Sequence, residues 1–181
     1  MKKLSTLLFI ALSSLNLFAH EDLLGQLVGD KLGLFYKDHT VSGHINGQII
    51  YATPVETGFG MRLVQRIGGK DYLSEFKKTE TGLQGELVRI DEKGTQSAVQ
   101  FEMTTVSAKD GVMLGRIGDK QFTAHIKANA MEGHHFVNPE FSIELPNKTY
   151  QFRLENGMAC MGCATKLVYV VLGMLEATGA L

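Results

Sequence analysis

The chain contains two cysteines, Cys160 and Cys163, within Gly-Met-Ala-Cys-Met-Gly-Cys-Ala-Thr-Lys at 157–166. An apolar run follows at once, so the pair is predicted to sit at the start of a helix. There it has three chemical uses. A helix N-terminus stabilises thiolate and lowers its pKa, which would activate either thiol for disulfide exchange. Two thiolates three residues apart can also grip one soft ion such as Cu(I), with Met158 and Met161 as neighbouring thioethers. The third use is a short Cys160–Cys163 disulfide that pins a strand end to the helix start, the default for an even pair in an oxidising compartment.

The compartment is read from the other end of the chain. Residues 1–19, MKKLSTLLFIALSSLNLFA, carry Lys2 and Lys3, then an apolar run without acids, then a small residue at Ala19. That is the build of a cleaved secretory signal peptide, which predicts a periplasmic or extracellular product starting at His20. The expected mature chain, 20–181, has the length of one ordinary domain with a real core. Losing the two lysines leaves 16 basic against 19 acidic residues, a net −3. A mildly acidic protein lacks the electrostatic footprint for nucleic acid.

What must position the pair is a β-rich body. From 41 to 154 the chain repeats one device, two alternating runs around a pair of turn formers, which is a β-hairpin signature. The copies are VSGHI-NG-QIIYATP, GMRLVQRI-GG-KDYLSEF, GVMLGRI-GD-KQFTAHI and EFSIEL-PN-KTYQFRL, with a longer-looped fifth, GELVRI-DEKG-TQSAVQFEM. Roughly ten strands follow, each with one wet and one buried face, so the fold class is mainly β: an antiparallel meander closed as a barrel or folded as a sandwich. Tyr72, Phe76, Phe122, Tyr150 and Phe152 suffice to fill its interior. The segments 54–60, 77–82 and 128–140 read as longer loops at the end opposite the tight turns, where a binding mouth would lie.

Two flanking helices are expected. EDLLGQLVGDKLGLF at 21–35 has apolar residues at helical spacing, with Gly25, Gly29 and Gly33 cutting a groove along one side. At the other end, 160–178 is apolar nearly all round, but its uncharged stretch is only 167–175. A bilayer needs about 20 such residues. The expectation is a buried helix against the sheet and no transmembrane segment in the mature chain.

Between the strand and this helix, TYQFRLENGMACMGCATKLVYVV resembles the opening of a heavy-metal-associated domain, an alternating strand, then Gly-Met-x-Cys-x-x-Cys, then a helix with apolar residues at Leu167 and Val171. The resemblance covers only residues 149–181, and 18 residues after Cys163 do not accommodate the rest of such a domain. It implies Cys160 and Cys163 as copper ligands, with Met158 packing the loop. A thioredoxin-type oxidoreductase would place the motif in a β-α-β unit with a following proline, and Pro54, Pro139 and Pro146 all precede it.

Histidines suggest a second copper site. An amino-terminal His20 could chelate Cu(II) through its amine and imidazole, with His134 or His135 of Glu-Gly-His-His-Phe as a further ligand. The sequence lacks GxSxG, GxxxxGK[ST], HExxH and an EF-hand loop, and no residue set takes a catalytic role. The reading is therefore an exported, noncatalytic binding or structural protein with a Cys-x-x-Cys disulfide, meeting an envelope protein or a small ligand. A soft-metal protein and a thiol-disulfide enzyme remain as alternatives.

Overall fold

The structure is a computed structural model that describes residues 25–37, 40–57, 60–67, 70–91 and 93–181. The expected signal peptide, His20 and His39 lie outside the described residues. In chain order the elements are β1 (Gly25–Gly29), β2 (Leu32–Lys37), β3 (Thr40–Ile45), β4 (Gln48–Thr57), β5 (Gly60–Ile67), β6 (Lys70–Lys78), β7 (Gly82–Ile90) and β8 (Gln96–Ser107). There follow β9 (Val112–Ile117), β10 (Lys120–Lys127), β11 (Ala130–Glu132), β12 (His135–Val137), β13 (Glu140–Leu145), β14 (Lys148–Glu155), β15 (Met158–Cys160) and the helix α1 (Met161–Ala177).

Ten of these strands are the five hairpins expected from the turn pairs: β3–β4, β5–β6, β7–β8, β9–β10 and β13–β14. At the first turn Asn46 and Gly47 both take positive φ, 49° and 74°, as a type I′ turn demands. Side-chain alternation then builds the wall. In β10, Phe122, Ala124 and Ile126 are buried, while Gln121 and Lys127 are exposed.

Residues 25–37 correct the expected helix over 21–35, because they form the hairpin β1–β2 around Asp30-Lys31. Leu32, Leu34 and Tyr36 repeat every second residue and are all buried, a strand period that competes with the helical spacing of the leucines and is realised in the ladder of β1 to β14. The glycines also serve strand packing rather than a helix groove. A Cβ on Gly33 would lie 2.6 Å from Cε1 of His44, the residue paired with it across β2 and β3.

This extra hairpin closes the ring. β1 pairs with β2 on one side and β14 on the other, with Leu27 opposite both Leu34 and Leu154, so the larger sheet is a closed antiparallel barrel. Its order is β1-β14-β13-β10-β9-β8-β7-β6-β5-β4-β3-β2, and β11, β12 and β15 form a separate three-stranded sheet. The supposed long loops shrink accordingly. The β4–β5 ladder runs to Thr57 opposite Gly60, and β6–β7 leaves only 79–81 unpaired.

Wall side chains fill a barrel of about eight strands, whereas twelve enclose a wider lumen. Here α1 occupies it. Leu167, Val168, Tyr169, Val170, Val171 and Leu172 are all 5% exposed or less, although together they cover the whole circumference of the helix. At mid-height the Tyr169 ring packs 4.6 Å from Phe76 and 4.4 Å from Phe101 between centroids. Its hydroxyl lies 2.6 Å from Ser74 Oγ and donates towards the carbonyls of Glu75 and Glu86. Burial pushes this phenol well above its ordinary value, a neutral group held dry and fully partnered.

Hairpin turns alternate between the two ends of such a barrel. The end carrying Asp30-Lys31, Asn46-Gly47, Gly118-Asp119 and Pro146-Asn147 receives the C-terminus of α1. There Tyr72 Oη donates to the Ala177 carbonyl at 2.9 Å, and Lys148 Nζ and Tyr150 Oη donate to the Ala180 carbonyl. These bonds satisfy carbonyls at and beyond the helix end that have no intrahelical partner. The N-terminus of α1 therefore enters at the opposite end. Outside, charges stud the wall, as in the cross-strand pair Arg116–Glu102 at 3.4 Å. No described helix is long and apolar enough to cross a membrane.

Candidate functional site

The chemistry-bearing residues gather where α1 enters. The segment 128–140, expected as a loop, holds the hairpin β11–β12 with Gly133-His134 as its two-residue turn, and Gly133 takes φ 60°. A glycine in the first central position suits a tight hairpin turn. The chain returns at β15, which pairs with β12 and completes the small sheet before α1 begins.

Register decides which side chains meet. Phe136 stands opposite Met131 on one side and Ala159 on the other, and Phe136 and Ala159 are buried against the core. The opposite face carries a row that crosses all three strands: Glu132 opposite His135, and His135 opposite Cys160. Residues directly opposite in an antiparallel pair share a face with Cβ atoms about 4.5–5.5 Å apart. Carboxylate, imidazole and thiol are thus neighbours in that order. Met158 and Val137 form the next pair on this face, and Met158 is exposed.

Cys160 ends β15 and caps α1. Its backbone is extended, at φ −71° and ψ 167°, and its Sγ accepts the Cys163 N–H at 3.3 Å. The two Sγ atoms lie 3.1 Å apart, about an ångström beyond an S–S bond of about 2.05 Å. Cys160 is 8% exposed, whereas Cys163 is half-buried and the more accessible residue of the two.

The electrostatics bear on Cys163. Cys163 is raised well above an ordinary thiol, first by its hydrogen bond with Cys160, then by burial and by charge on Cys160, with Lys166 opposing. Beside it the Tyr36 phenol, at the end of β2, is pushed up to about 12, by burial first and then by the Cys163 charge.

The residues expected to do chemistry divide as follows. Cys160, Cys163 and His135 are brought together, while His134 sits in the adjacent turn with its ring centroid 4.1 Å from that of His135. His44 covers Gly33, and His125 lies 3.8 Å from Glu144 on the outer wall. Among the described residues, no group of three or more His, Cys, Asp or Glu side chains converges as a metal cage. The Glu132–His135–Cys160 row is linear, so an acid, an imidazole and a thiol succeed one another across the three strands on one face of the cap sheet. Glu132 had no signal in the sequence beyond preceding a Gly-x turn, because its place depends on β12 pairing with β15.

No protein-family model matches the chain, and no curated protein or solved structure matches it at a significant level. The functional reading therefore rests on the geometry.

Proposed function

We propose that the protein is an exported β-barrel scaffold with a binding or structural role in the cell envelope, in which Cys160 and Cys163 close to a disulfide. The observation that carries this is the 3.1 Å separation of the two sulfurs at the junction of β15 and α1. The bond would tie the cap sheet to the helix that fills the lumen. With the lumen taken by the chain's own helix, binding falls to the outer wall and the cap.

Intact mass and thiol titration of the protein recovered from the exported fraction test the reading. The expected result is no titratable thiol before reduction and two after it. Replacing both cysteines by serine should then lower the melting temperature modestly, because closing so short a loop is worth about 2 kcal/mol or less in the chain-entropy description. Two open thiols that take up one Cu(I) per chain would displace the disulfide in favour of the soft-metal reading.

A further inference from the structure

We infer that the Cys160–Cys163 disulfide is an exchangeable bond rather than an inert staple, with His135 as the proton donor to departing Cys160 and Glu132 as the residue that positions the imidazole. The inference rests on the proposed closure of the pair and adds a reaction to it, the oxidation of small dithiols. Its basis is the cross-strand row Glu132, His135, Cys160 on one face of the cap sheet, together with the unequal burial of the two cysteine residues.

Cys163 is the more accessible cysteine, so an incoming thiolate attacks its sulfur. The S–S bond breaks with its electron pair on Cys160 Sγ, onto which the Cys163 N–H already points at 3.3 Å. His135 protonates that sulfur and recovers its proton from water. A thiol whose anion is better stabilised leaves faster, so a neighbouring imidazolium and a helix N-terminus both speed this step. The attacking molecule is now joined to Cys163. Its second thiol, losing a proton to water, attacks its own sulfur in that mixed disulfide and expels Cys163, which takes a proton from water. The sum is protein disulfide plus dithiol giving two protein thiols plus the oxidised dithiol, with no other oxidant. Lys166 and Tyr36 also face Cys163, and the His134 ring lies tilted against His135 from the turn.

The test is the rate at which dithiothreitol reduces the oxidised full chain at neutral pH. His135→Ala is expected to slow it on the order of tenfold. Glu132→Gln should slow it less, His125→Ala on the outer wall should leave it unchanged, and added imidazole should restore part of the His135→Ala loss. With glutathione as the probe, peptide mapping should find the mixed disulfide on Cys163. Equal rates for wild type and His135→Ala, or an adduct on Cys160, would overturn the inference while leaving the disulfide in place. If His135→Ala does not fold, His135→Asn replaces it in the same assay. A pair found open in the exported protein instead overturns the closure itself and the exchange with it.

Discussion

Along α1 the barrel encloses side chains that are dry and matched: Leu167 and Val171 are 1% exposed or less, and Tyr169 spends its one hydroxyl on Ser74 and two wall carbonyls. The cap sheet, reached one residue before the helix starts, is the reverse. It is three strands of three residues each, one face packed on the core and the other carrying Glu132, His135, Cys160 and Met158. Stability is concentrated where apolar area is removed from water, and the cap row grades from exposed Glu132 through half-buried His135 to buried Cys160. The contrast predicts that substitutions in the lumen change stability and those in the cap change chemistry.

The largest effect should come from the lumen. Leu167→Ala removes a side chain enclosed by the barrel wall, where neither helix nor closed sheet can move in to fill the space. A loss of about 2–5 kcal/mol is expected, because a rigid site pays both the transfer and the cavity terms. Urea unfolding measures it, read as a lower midpoint at constant slope. A loss below about 1 kcal/mol, on the scale of a surface change, would mean that the lumen is not the stabilising region.

How much of this contrast is legible in the sequence follows from the range of the interactions involved. The ten hairpin strands and the apolar helix are local, written in turn pairs such as Asn46-Gly47 and in the unbroken run after Lys166. The hairpin β1–β2 is also local, but Leu23, Leu27 and Leu34 fit a helical period as well as Leu32, Leu34 and Tyr36 fit a strand period. Only the ladder to β14 decides between them. Ring closure, the helix in the lumen and the Glu132–His135–Cys160 row all depend on pairings between distant segments, which no local pattern encodes. The Cys pair and His135 are both visible as chemistry, but the pairing that sets His135 opposite Cys160 is not.

Tyr36 lies at the border of the two regions, buried on the inner wall yet beside Cys163. Its phenol is pushed from 10.0 up to about 12, so between those values the unfolded chain loses a proton that the folded one keeps. A raised folded value makes the contribution fully present below pH 10 and lost as pH climbs towards 12. At about 1.36 kcal/mol per unit, wild type should lose about 2–3 kcal/mol relative to Tyr36→Phe across that window. Paired denaturant curves at pH 9, 10, 11 and 12 give the difference directly. Parallel curves would place Tyr36 in a solvated setting and move the border of the dry region deeper into the barrel.

The smallest stability effect is expected in the cap, and it sharpens the comparison most. Glu132 is exposed at the end of β11, and Glu132→Gln keeps its length and its hydrogen-bonding oxygen while removing the charge. Nothing buried is uncovered, so the unfolding midpoint should stay within about 0.5 kcal/mol of wild type. The imidazole of His135 would meanwhile lose the carboxylate beside it on the ladder, and any function of the row should register that loss. A stability change as large as that of Leu167→Ala would show that the cap is a structural lid whose acid, imidazole and thiol are paired for strength. A silent midpoint with slowed disulfide exchange would show that these nine cap residues are held in shape by the barrel and spend their own side chains on chemistry.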